Sequence, residues 1–452
     1  MKNRTVMVGI TTSQNTTNAI PVIQLKASDY LPINTGRALK EGWNNGLMDV
    51  LTSRGISVHE GVFLNNKEST NVKVIVDKVK FALMENGLWD YPILWNIGGG
   101  QKIHQLALWF LYQQRRKKND KLVYAEPFSG TLSIIEYDSD IRQNIMVLRS
   151  DFTIEELLKI YKNLEVVEGE HRIGIKRDKA WAMVENRYKV SGSGDVSCKD
   201  EIKSVFRKSV ENVLKDYQAR SRFDVFWNRL KSRVGSEIAK RDKKCKDYVD
   251  TLFEKTDFKT KIRNSYDNKR FSPKAAAIEI ESIVVKHLQG LLNNSKGNVF
   301  EKGVQGLVFD YIRMFDPNRS FFVDVGFNIK VEDPKNPGNV IAEYDTLIAT
   351  SKGTLLSFDA KVGFQGQKAK DWLARRLRIE RAGGIYAKWI AVIPERFFND
   401  NESRITELYK SIKEECEIVV VSRRKDEFLL PDLSERLPSL KSYFRSLLSV
   451  RH

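Results

Sequence analysis

Two short acidic motifs in the last third of the chain hold the side chains best suited to chemistry. Glu343 and Asp345 lie two residues apart in one apolar run, and Asp359 and Lys361 lie two residues apart in the next. Residues two apart in a β-strand point to the same face, so each pair shares a side if both runs are strands. The turn residues 351–353 predict a hairpin that gathers three carboxylates and one ammonium. Burying this group is costly without a divalent cation, and with one it becomes a site for phosphodiester hydrolysis.

A simpler interpretation of these residues stays open, because acids beside a lysine on neighbouring strands commonly form a solvated salt bridge. The surrounding elements favour the catalytic interpretation. Glu301 lies on the flank of a predicted helix, although an acid in a first helical turn also complements the helix dipole. After the motifs come a basic helix, Gly383-Gly384 and an apolar strand. The apolar face of the helix that carries Glu301 consists of Phe300, Val304, Leu307, Val308, Tyr311 and Phe315.

A glycine-rich turn near residue 100 is the second candidate site. Asn96 ends a buried strand, and Gly98-Gly99-Gly100-Gln101 leads to Lys102 and a helix whose predicted apolar face is Ile103, Leu106, Ala107 and Phe110. Glycines let a ligand approach the backbone closely, and the free N–H groups at a helix start favour phosphate. The spacing fits neither the Walker loop nor the dinucleotide fingerprint. A purely structural strand-to-helix turn is the alternative.

Strand-like and helix-like segments alternate through residues 1–150, which predicts a doubly wound parallel sheet. Residues 151–295 are predicted as a mostly helical connector, beginning with a helix capped by Asp151 or Thr153. A break at Ser295-Lys296-Gly297 is expected to precede an α/β domain over residues 296–452. The predicted strands are Thr5–Ile10, Gly55–Val62 and Tyr91–Ile97, and the predicted helices of the first domain are Ala38–Ser53 and Val72–Asn86.

Composition narrows the class of protein. The chain has 452 residues, 41% of them hydrophobic, which is enough for two or three domains and excludes a disordered protein. A net charge of +17 indicates a polyanionic partner such as nucleic acid, or a basic surface kept for solubility. The 3 cysteines suggest neither a zinc motif nor a disulfide framework. With an N-terminal apolar stretch too short for a signal peptide or a membrane span, we expect a soluble cytoplasmic protein.

The first 140 or so residues resemble a CARF domain, the sensor of CRISPR-associated ring nucleotides. The resemblance rests on a first strand that ends in Thr11-Thr12-Ser13-Gln14-Asn15 and on the later turn from Asn96 to Lys102. It implies a homodimer whose paired loops enclose a cyclic oligoadenylate, with cyclic tetra-adenylate as the expected ring. Gly100 stands where the family often has threonine. By resemblance the ligand contacts are Thr12, Ser13, Gln14, Asn96, Gly98, Gly99, Gly100 and Lys102.

The C-terminal segment resembles the PD-(D/E)xK nuclease superfamily, most closely the module fused to CARF domains in CRISPR ancillary nucleases. The match is the order Gly-x-x-x-Glu, Glu-x-Asp, Asp-x-Lys and Gly-Gly, with Asp359 where glutamate is often found. Asp345, Asp359 and the Ala360 carbonyl are candidate ligands of Mg²⁺ or Mn²⁺. Lys361 would activate the attacking water or stabilise charge on the phosphoryl group. Glu301 would hold a metal-bound water or a second ion, and Glu343 is either a further ligand or a salt-bridge partner of the basic helix. The expected catalytic set is Glu301, Glu343, Asp345, Asp359 and Lys361.

Together these features predict a ring-nucleotide-activated, metal-dependent nuclease that cleaves DNA or RNA in type III CRISPR antiviral defence. Two alternatives stay open. One is a ligand-responsive regulator that binds nucleic acid through the basic helical middle, where Phe223 and Trp227 either stack on bases or belong to the core. The other is a constitutive restriction-type endonuclease. Ring size, DNA or RNA preference, and degradation of the ligand by the sensor are not determined by the sequence.

Overall fold

The computed structural model describes residues 4–115, 119–137, 141–170, 177–189, 194–240, 243–362, 369–412, 416–431 and 433–449. It is an α/β protein with a mostly parallel N-terminal sheet, a helical middle and a mixed C-terminal sheet, so the predicted fold class is confirmed. The described residues divide into two compact units. The first unit contains residues 1–177 and 304–452, and the second contains residues 178–303.

The N-terminal sheet has the strand order β3-β2-β1-β5-β6-β7-β8, with β4 also paired to β2. Strands β1 to β6 pair in parallel, and β7 and β8 continue the sheet as an antiparallel meander. Its elements are β1 (Val6–Ile10), α1 (Thr16–Gln24), β2 (Asp29–Thr35), α2 (Gly36–Glu41), α3 (Trp43–Ser53), β3 (Ser57–Val58), β4 (Val62–Leu64), α4 (Val72–Glu85), β5 (Ile93–Asn96), α5 (Lys102–Arg115), β6 (Lys121–Glu126), β7 (Thr131–Tyr137) and β8 (Ile141–Val147).

Strands β1 and β5 and helix α4 lie where the sequence predicts them, whereas two other predicted elements are divided. The helix expected over Ala38–Ser53 is interrupted at Gly42, which adopts φ 72° and ends α2. The strand expected over Gly55–Val62 becomes the two short strands β3 and β4. The sequence does not predict helix α1 and strand β2, because Pro21 and Pro32 interrupt their patterns.

Helix α6 (Ile154–Lys162) begins as predicted, with a capping box in which the Thr153 side chain and Glu156 bond reciprocally. Strand β9 (Glu165–Glu170) follows it inside the segment expected to be mostly helical. Strand β9 pairs antiparallel with strand β10 (Phe322–Glu332) and so joins the C-terminal sheet. The alternation in this strand is weak because most of its side chains are exposed.

The middle of the chain is helical, as predicted. Phe226 and Trp227 are buried there in an apolar cluster with Phe206 and Phe258, which assigns Trp227 to the core. The helices are α7 (Arg177–Lys189), α8 (Gly194–Val213), α9 (Tyr217–Ser221), α10 (Phe223–Ala239), α11 (Lys243–Glu254), α12 (Thr256–Lys269) and α13 (Pro273–Phe315).

The break expected at residues 295–297 is wrong, because α13 runs continuously through it from Pro273 to Phe315. Serine and glycine inside a helix each cost only about 1 kcal/mol or less relative to alanine, which packing on either side offsets. The apolar face predicted around Glu301 is confirmed, since Phe300, Val304 and Leu307 are all buried.

The C-terminal sheet has the order β14-β13-β12-β11-β10-β9. Strands β10, β11 and β12 are antiparallel neighbours, and β12, β13 and β14 are parallel. The elements are β10 (Phe322–Glu332), β11 (Val340–Thr350), β12 (Leu355–Ala360), α14 (Ala369–Gly383), β13 (Lys388–Pro394), α15 (Glu395–Asp400), α16 (Glu402–Ile412), β14 (Glu417–Val421), β15 (Glu427–Leu430), β16 (Glu435–Pro438) and α17 (Leu440–Ser449).

One apolar core joins the two sheets of the first unit. It contains Ile20 of α1, Leu158 of α6 and Leu347 of β11, all fully buried. A separate cluster on the other face of the N-terminal sheet includes Val79 of α4 and Leu111 of α5. Shared burial between α1, α6 and the β11–β12 hairpin means that these elements cannot shift independently without exposing apolar surface.

Two sequence expectations concern cysteines and membranes. Cys245 is disulfide-bonded, contrary to the expectation that the cysteines form no disulfide, and Cys416 is a buried free thiol. Distance along the sequence does not exclude a disulfide, because helix packing brings remote residues together. None of the described helices is both long enough and apolar enough to cross a membrane.

Candidate functional site

The predicted hairpin exists and brings the acidic motifs together. Strands β11 and β12 pair antiparallel with Thr346 opposite Phe358, which sets Asp345 beside the end of β12. The Lys361 Nζ atom lies 3.2 Å from Asp359 Oδ2 and 3.8 Å from Asp345 Oδ2. A single ammonium therefore contacts both carboxylates, at a place where only 5% of the Asp359 side chain and 23% of the Asp345 side chain are exposed.

Two residues that the sequence analysis did not assign hold this cluster in place. Arg375 of α14 donates from Nη1 to Asp359 Oδ2 at 2.8 Å. Gln305 of α13 donates from Nε2 to the Asp345 carbonyl at 2.8 Å and to Asn328 Oδ1 at 3.0 Å. The basic character of α14 was visible in the sequence, but which of its arginines reaches Asp359 depends on how the helix packs.

The remaining residues of the predicted catalytic set are arranged differently. Glu343 is exposed and lies opposite Lys330 of β10, whose pKa is raised by Glu168 and further by Glu343. The backbone N–H of Ala360 donates to Asp345 Oδ2 at 2.8 Å, which adds a fixed donor beside the carboxylates. Glu301 is partly buried in the segment of α13 that belongs to the helical unit. Its place in the site, and the Ala360 carbonyl as a ligand, stay predictions.

The donor set of the cluster fits a hard divalent cation. Within the described residues no group of three or more His, Cys, Asp or Glu side chains is arranged to hold a metal ion. Mg²⁺ does not need such a group, because it usually takes one or two carboxylates and completes its shell with water and substrate phosphate oxygens. Asp345 and Asp359 supply two carboxylates at one place, with Lys361 and Arg375 now neutralising their charge.

The glycine-rich turn lies at the carboxyl ends of β1 and β5, where ligands bind in doubly wound sheets. Asn96 is fully buried and donates from Nδ2 to the Thr17 carbonyl and to Asn18 Oδ1, each at 2.8 Å. Its own Oδ1 accepts from the Gly98 N–H at 2.9 Å. Asn96 therefore fixes the turn from inside and ties it to α1.

The two predicted ligand loops are adjacent. A Cβ added to Gly99 would lie 3.0 Å from the Ile10 carbonyl and 3.4 Å from Thr12 Cγ2, so the glycine permits this approach. The loop that contains Ser13 is held by the Asn15 Oδ1 atom, which accepts from the Thr12 N–H at 2.9 Å. Lys102 is exposed at the first position of α5. The structure thus gathers the predicted contacts, and binding by them stays a prediction.

The geometry of Gly100 explains the glycine at this position, where the family that the N-terminal sequence resembles often has threonine. Its φ is 78°, and a Cβ would meet His104 Nδ1 at 3.0 Å. His104 is buried and accepts at Nδ1 from the Gln101 N–H at 3.2 Å. Burial lowers the pKa of His104, which favours the neutral ring that this bond requires.

The two candidate sites are connected through buried contacts within the first unit. The Tyr161 hydroxyl of α6 donates to the Gly353 carbonyl at 2.8 Å and lies 2.9 Å from the Thr16 hydroxyl of α1. Gly353 forms the turn between β11 and β12. In addition, a Cβ on Gly384 would meet Gln14 Oε1 at 2.5 Å, so the first loop also touches the Gly-Gly turn that precedes β13.

Comparison with solved structures supports the fold. The chain is similar to protein VC1899 from Vibrio cholerae, with a TM-score of 0.51 at 12% identity over 92% of this chain and 94% of that one. It also aligns with Can2 from Sulfobacillus thermosulfidooxidans in complex with cyclic tetra-adenylate, with a TM-score of 0.49 at 12% identity over 92% and 95% of the two chains. A type III CRISPR defence DNA nuclease activated by cyclic oligoadenylate gives a TM-score of 0.48 at 11% identity, over 87% of this chain and 45% of that one.

At these identities the likeness concerns the fold alone. No protein-family model matches the chain, and neither does any curated protein sequence.

Proposed function

We propose that this protein is a metal-dependent nuclease whose activity is switched on by a cyclic oligoadenylate. The observation that supports it most directly is the cluster of Asp345, Asp359 and Lys361 at one end of the β11–β12 hairpin. A surface salt bridge needs no such burial, whereas Asp359 is almost fully buried between Lys361 and Arg375. Two carboxylates and a lysine held in this way are suited to phosphoryl chemistry.

Each residue of the cluster has a definable task. Asp345 and Asp359 would hold the cation, which lowers the pKa of a nucleophilic water and neutralises phosphate charge when it is bound. Lys361 lies beside both carboxylates and would stabilise the negative charge that develops on the phosphoryl oxygens. Arg375 orients Asp359, and Gln305 fixes the backbone at Asp345.

The glycine-rich turn and the first loop form the proposed regulatory site. Thr12, Ser13, Gln14, Gly98 to Gly100 and Lys102 would contact the ring nucleotide, through backbone N–H groups and the positive end of α5. Asn96 would act by holding the turn rather than by reaching the ligand. The ring can shift the nuclease between states only by binding one of them more tightly. The Thr16–Tyr161–Gly353 contacts provide the connection for such a shift.

An exposed apolar strip on α5 supports the homodimer that the CARF resemblance implies. Leu106 and Phe110, which belong to the predicted apolar face of α5, are 43% and 40% exposed, and Trp109 is 42% exposed. These residues stand at i, i+3 and i+4 and so form one surface that begins a turn after Lys102. A second copy packed there would cover the strip and bring two ring-binding turns together.

Sedimentation velocity tests the dimer. Trp109→Asp places a charge in the strip and should convert the protein to monomers and abolish ring binding. Tyr217→Asp is the matched control, because Tyr217 is exposed on α9 in the helical unit. A Trp109→Asp protein that stays dimeric would contradict this interface.

The proposed function is tested by incubating plasmid, single-stranded DNA and RNA with Mg²⁺ or Mn²⁺, with and without cyclic tetra- or hexa-adenylate. We expect cleavage only when both metal and ring are present, and none by Asp345→Asn. Cleavage without any ring would indicate a constitutive endonuclease. Tight duplex binding without metal-dependent turnover would indicate a ligand-responsive regulator instead.

A further inference from the structure

A basic cavity of about 540 Å³ lies in the first unit, and its lining includes Tyr344, the neighbour of Asp345 in sequence. Elements remote in sequence build it: α2, the end of α6, the β10–β11 loop, β11 and α14. Helices α3 and α6 can approach there because Gly46 has no side chain, since a Cβ would lie 1.9 Å from the Lys159 carbonyl. The charged residues of its lining are Lys40, Lys162, Lys335, Arg378 and Arg381, together with Glu41 and Asp333.

Positive charge dominates the cavity and is not neutralised from within. None of its five cationic side chains forms an ion pair with any residue that the structure describes, and Lys162 instead lies over the Trp43 ring at 5.5 Å. Cations brought together without anionic partners repel one another, so their placement is favourable only with an anion nearby. Phosphate oxygens are the anions that arginine and lysine bind best.

Tyr344 gives an independent indication of a polar ligand. It lines the cavity and is 3% exposed, and its hydroxyl has no hydrogen-bond partner among the described residues. A buried hydroxyl without a partner costs free energy that a ligand oxygen would recover.

Helix α14 links the cavity to the catalytic carboxylates. Arg375 bonds Asp359, and Arg378 and Arg381 follow at intervals of three residues and line the cavity. With a rise of about 1.5 Å per residue, Arg378 lies about 4.5 Å and Arg381 about 9 Å further along the helix axis. The three arginines therefore form a row along α14 that leads from the cluster to the cavity.

We propose that this cavity binds the phosphodiester backbone of the substrate strand next to the cleaved bond. The inference rests on the proposed function and adds to it that the strand approaches the carboxylate cluster from the side of this cavity. A free phosphorylated small molecule shares the same chemistry. The strand is favoured because Arg378 and Arg381 are exposed and lie on the same helix as Arg375, which bonds Asp359.

The test measures binding of a fluorescent 20-nucleotide single strand to the full chain in EDTA at several salt concentrations, so that no turnover is required. The double variant Arg378→Gln/Arg381→Gln should weaken binding by about tenfold or more and reduce the slope of log K against log salt by about 1.4. The double variant Lys67→Gln/Lys73→Gln removes the same charge from exposed positions of the first domain and should leave both values unchanged. Thermal unfolding verifies that all proteins are folded.

Binding of inorganic pyrophosphate tests whether the ligand of the cavity is a free phosphorylated small molecule rather than a nucleic-acid strand. Unchanged strand binding in the Arg378→Gln/Arg381→Gln protein would overturn the inference. If, in addition, the wild-type protein bound pyrophosphate tightly and this variant alone lost that binding, the cavity would be a site for a small phosphorylated molecule. Because the readout is affinity in EDTA, the two failures are distinguishable: a protein that binds strands through the cavity but never cleaves them would refute the nuclease proposal, whereas strand binding by the cavity would still stand.

Discussion

The glycine-rich turn and the carboxylate cluster achieve their order in opposite ways. At the turn, the internal hydrogen bonds join neutral groups: Asn96 alone joins Thr17, Asn18 and Gly98. At the cluster, full charges neutralise one another, with Lys361 and Arg375 facing Asp345 and Asp359. The turn is thus shaped before any ligand arrives, whereas the cluster has ionic partners that must be rearranged when a cation enters.

This difference is consistent with the two roles proposed for the sites. A preformed neutral turn needs little reorganisation when a ligand binds, which lowers the free-energy cost of recognising a ring nucleotide. A cluster of compensated charges is sensitive to small displacements, because ion-pair energies in a partly buried site change steeply with distance. Small movements at the β11–β12 turn, reached through Tyr161, can therefore alter the cluster while the glycine-rich turn keeps its shape.

The largest expected effect is the loss of cleavage without any loss of ring binding. Asp359→Asn keeps the size of the side chain but removes the charge that faces Lys361, Arg375 and a cation, so metal-dependent cleavage should fall by about 10³-fold or more. Ring affinity, measured by isothermal titration calorimetry, should be unchanged. Asp49→Asn, at an exposed position of α3, is the control and should cleave normally.

The substitution Gly100→Thr should instead affect the ring-binding turn. The substitution restores the hydroxyl common in the resembling family, but at φ 78° and against His104, so ring affinity should fall by about tenfold or more. Gly87→Thr is a matched control, because Gly87 has φ 64° and a Cβ added there would have nothing within 4 Å. Tighter ring binding by the Gly100→Thr protein would show that the turn is not preformed as described.

Tyr161→Phe tests the connection between the sites. Removing the hydroxyl leaves the buried Gly353 carbonyl without its donor, a cost of about 1–3 kcal/mol, so ring-stimulated cleavage should drop by about five- to tenfold. Ring affinity should change far less. Tyr266→Phe removes a comparable buried hydroxyl, bonded to the Ala219 and Arg220 carbonyls in the helical unit, and should not affect stimulation.

The smallest expected effect is a pH dependence of the turn. Burial lowers the pKa of His104 in the folded protein, so the folded state binds fewer protons than the unfolded state, and stability increases with pH. The contribution is complete above the usual histidine pKa of about 6.5 and is lost as the pH falls towards the lowered value. Ring affinity should weaken by about two- to threefold below pH 6 as the bond to Gln101 is lost, and His104→Asn should abolish this dependence. A wild-type affinity that is flat between pH 5 and 8 would contradict this role for His104.

The sequence predicted the local elements that carry the candidate sites. Alternation of apolar and acidic residues identified the β11–β12 hairpin, and glycines after a buried strand identified the turn before α5. These signals are local, because side-chain direction in a strand and backbone freedom at glycine depend on neighbours in sequence. The signal failed where local cues conflicted with packing, as at residues 295–297, which continue α13.

What only the tertiary structure decided is which distant residues meet. Arg375 could be recognised as basic but not as the partner of Asp359, and Tyr161 carried no sequence signal of its contact with Gly353. The cavity around Tyr344 likewise draws its cations from four separate elements. Such meetings depend on how helices α1, α6 and α14 share one apolar core with the sheet, and that core is set by many weak contacts summed over the whole unit rather than by any local pattern.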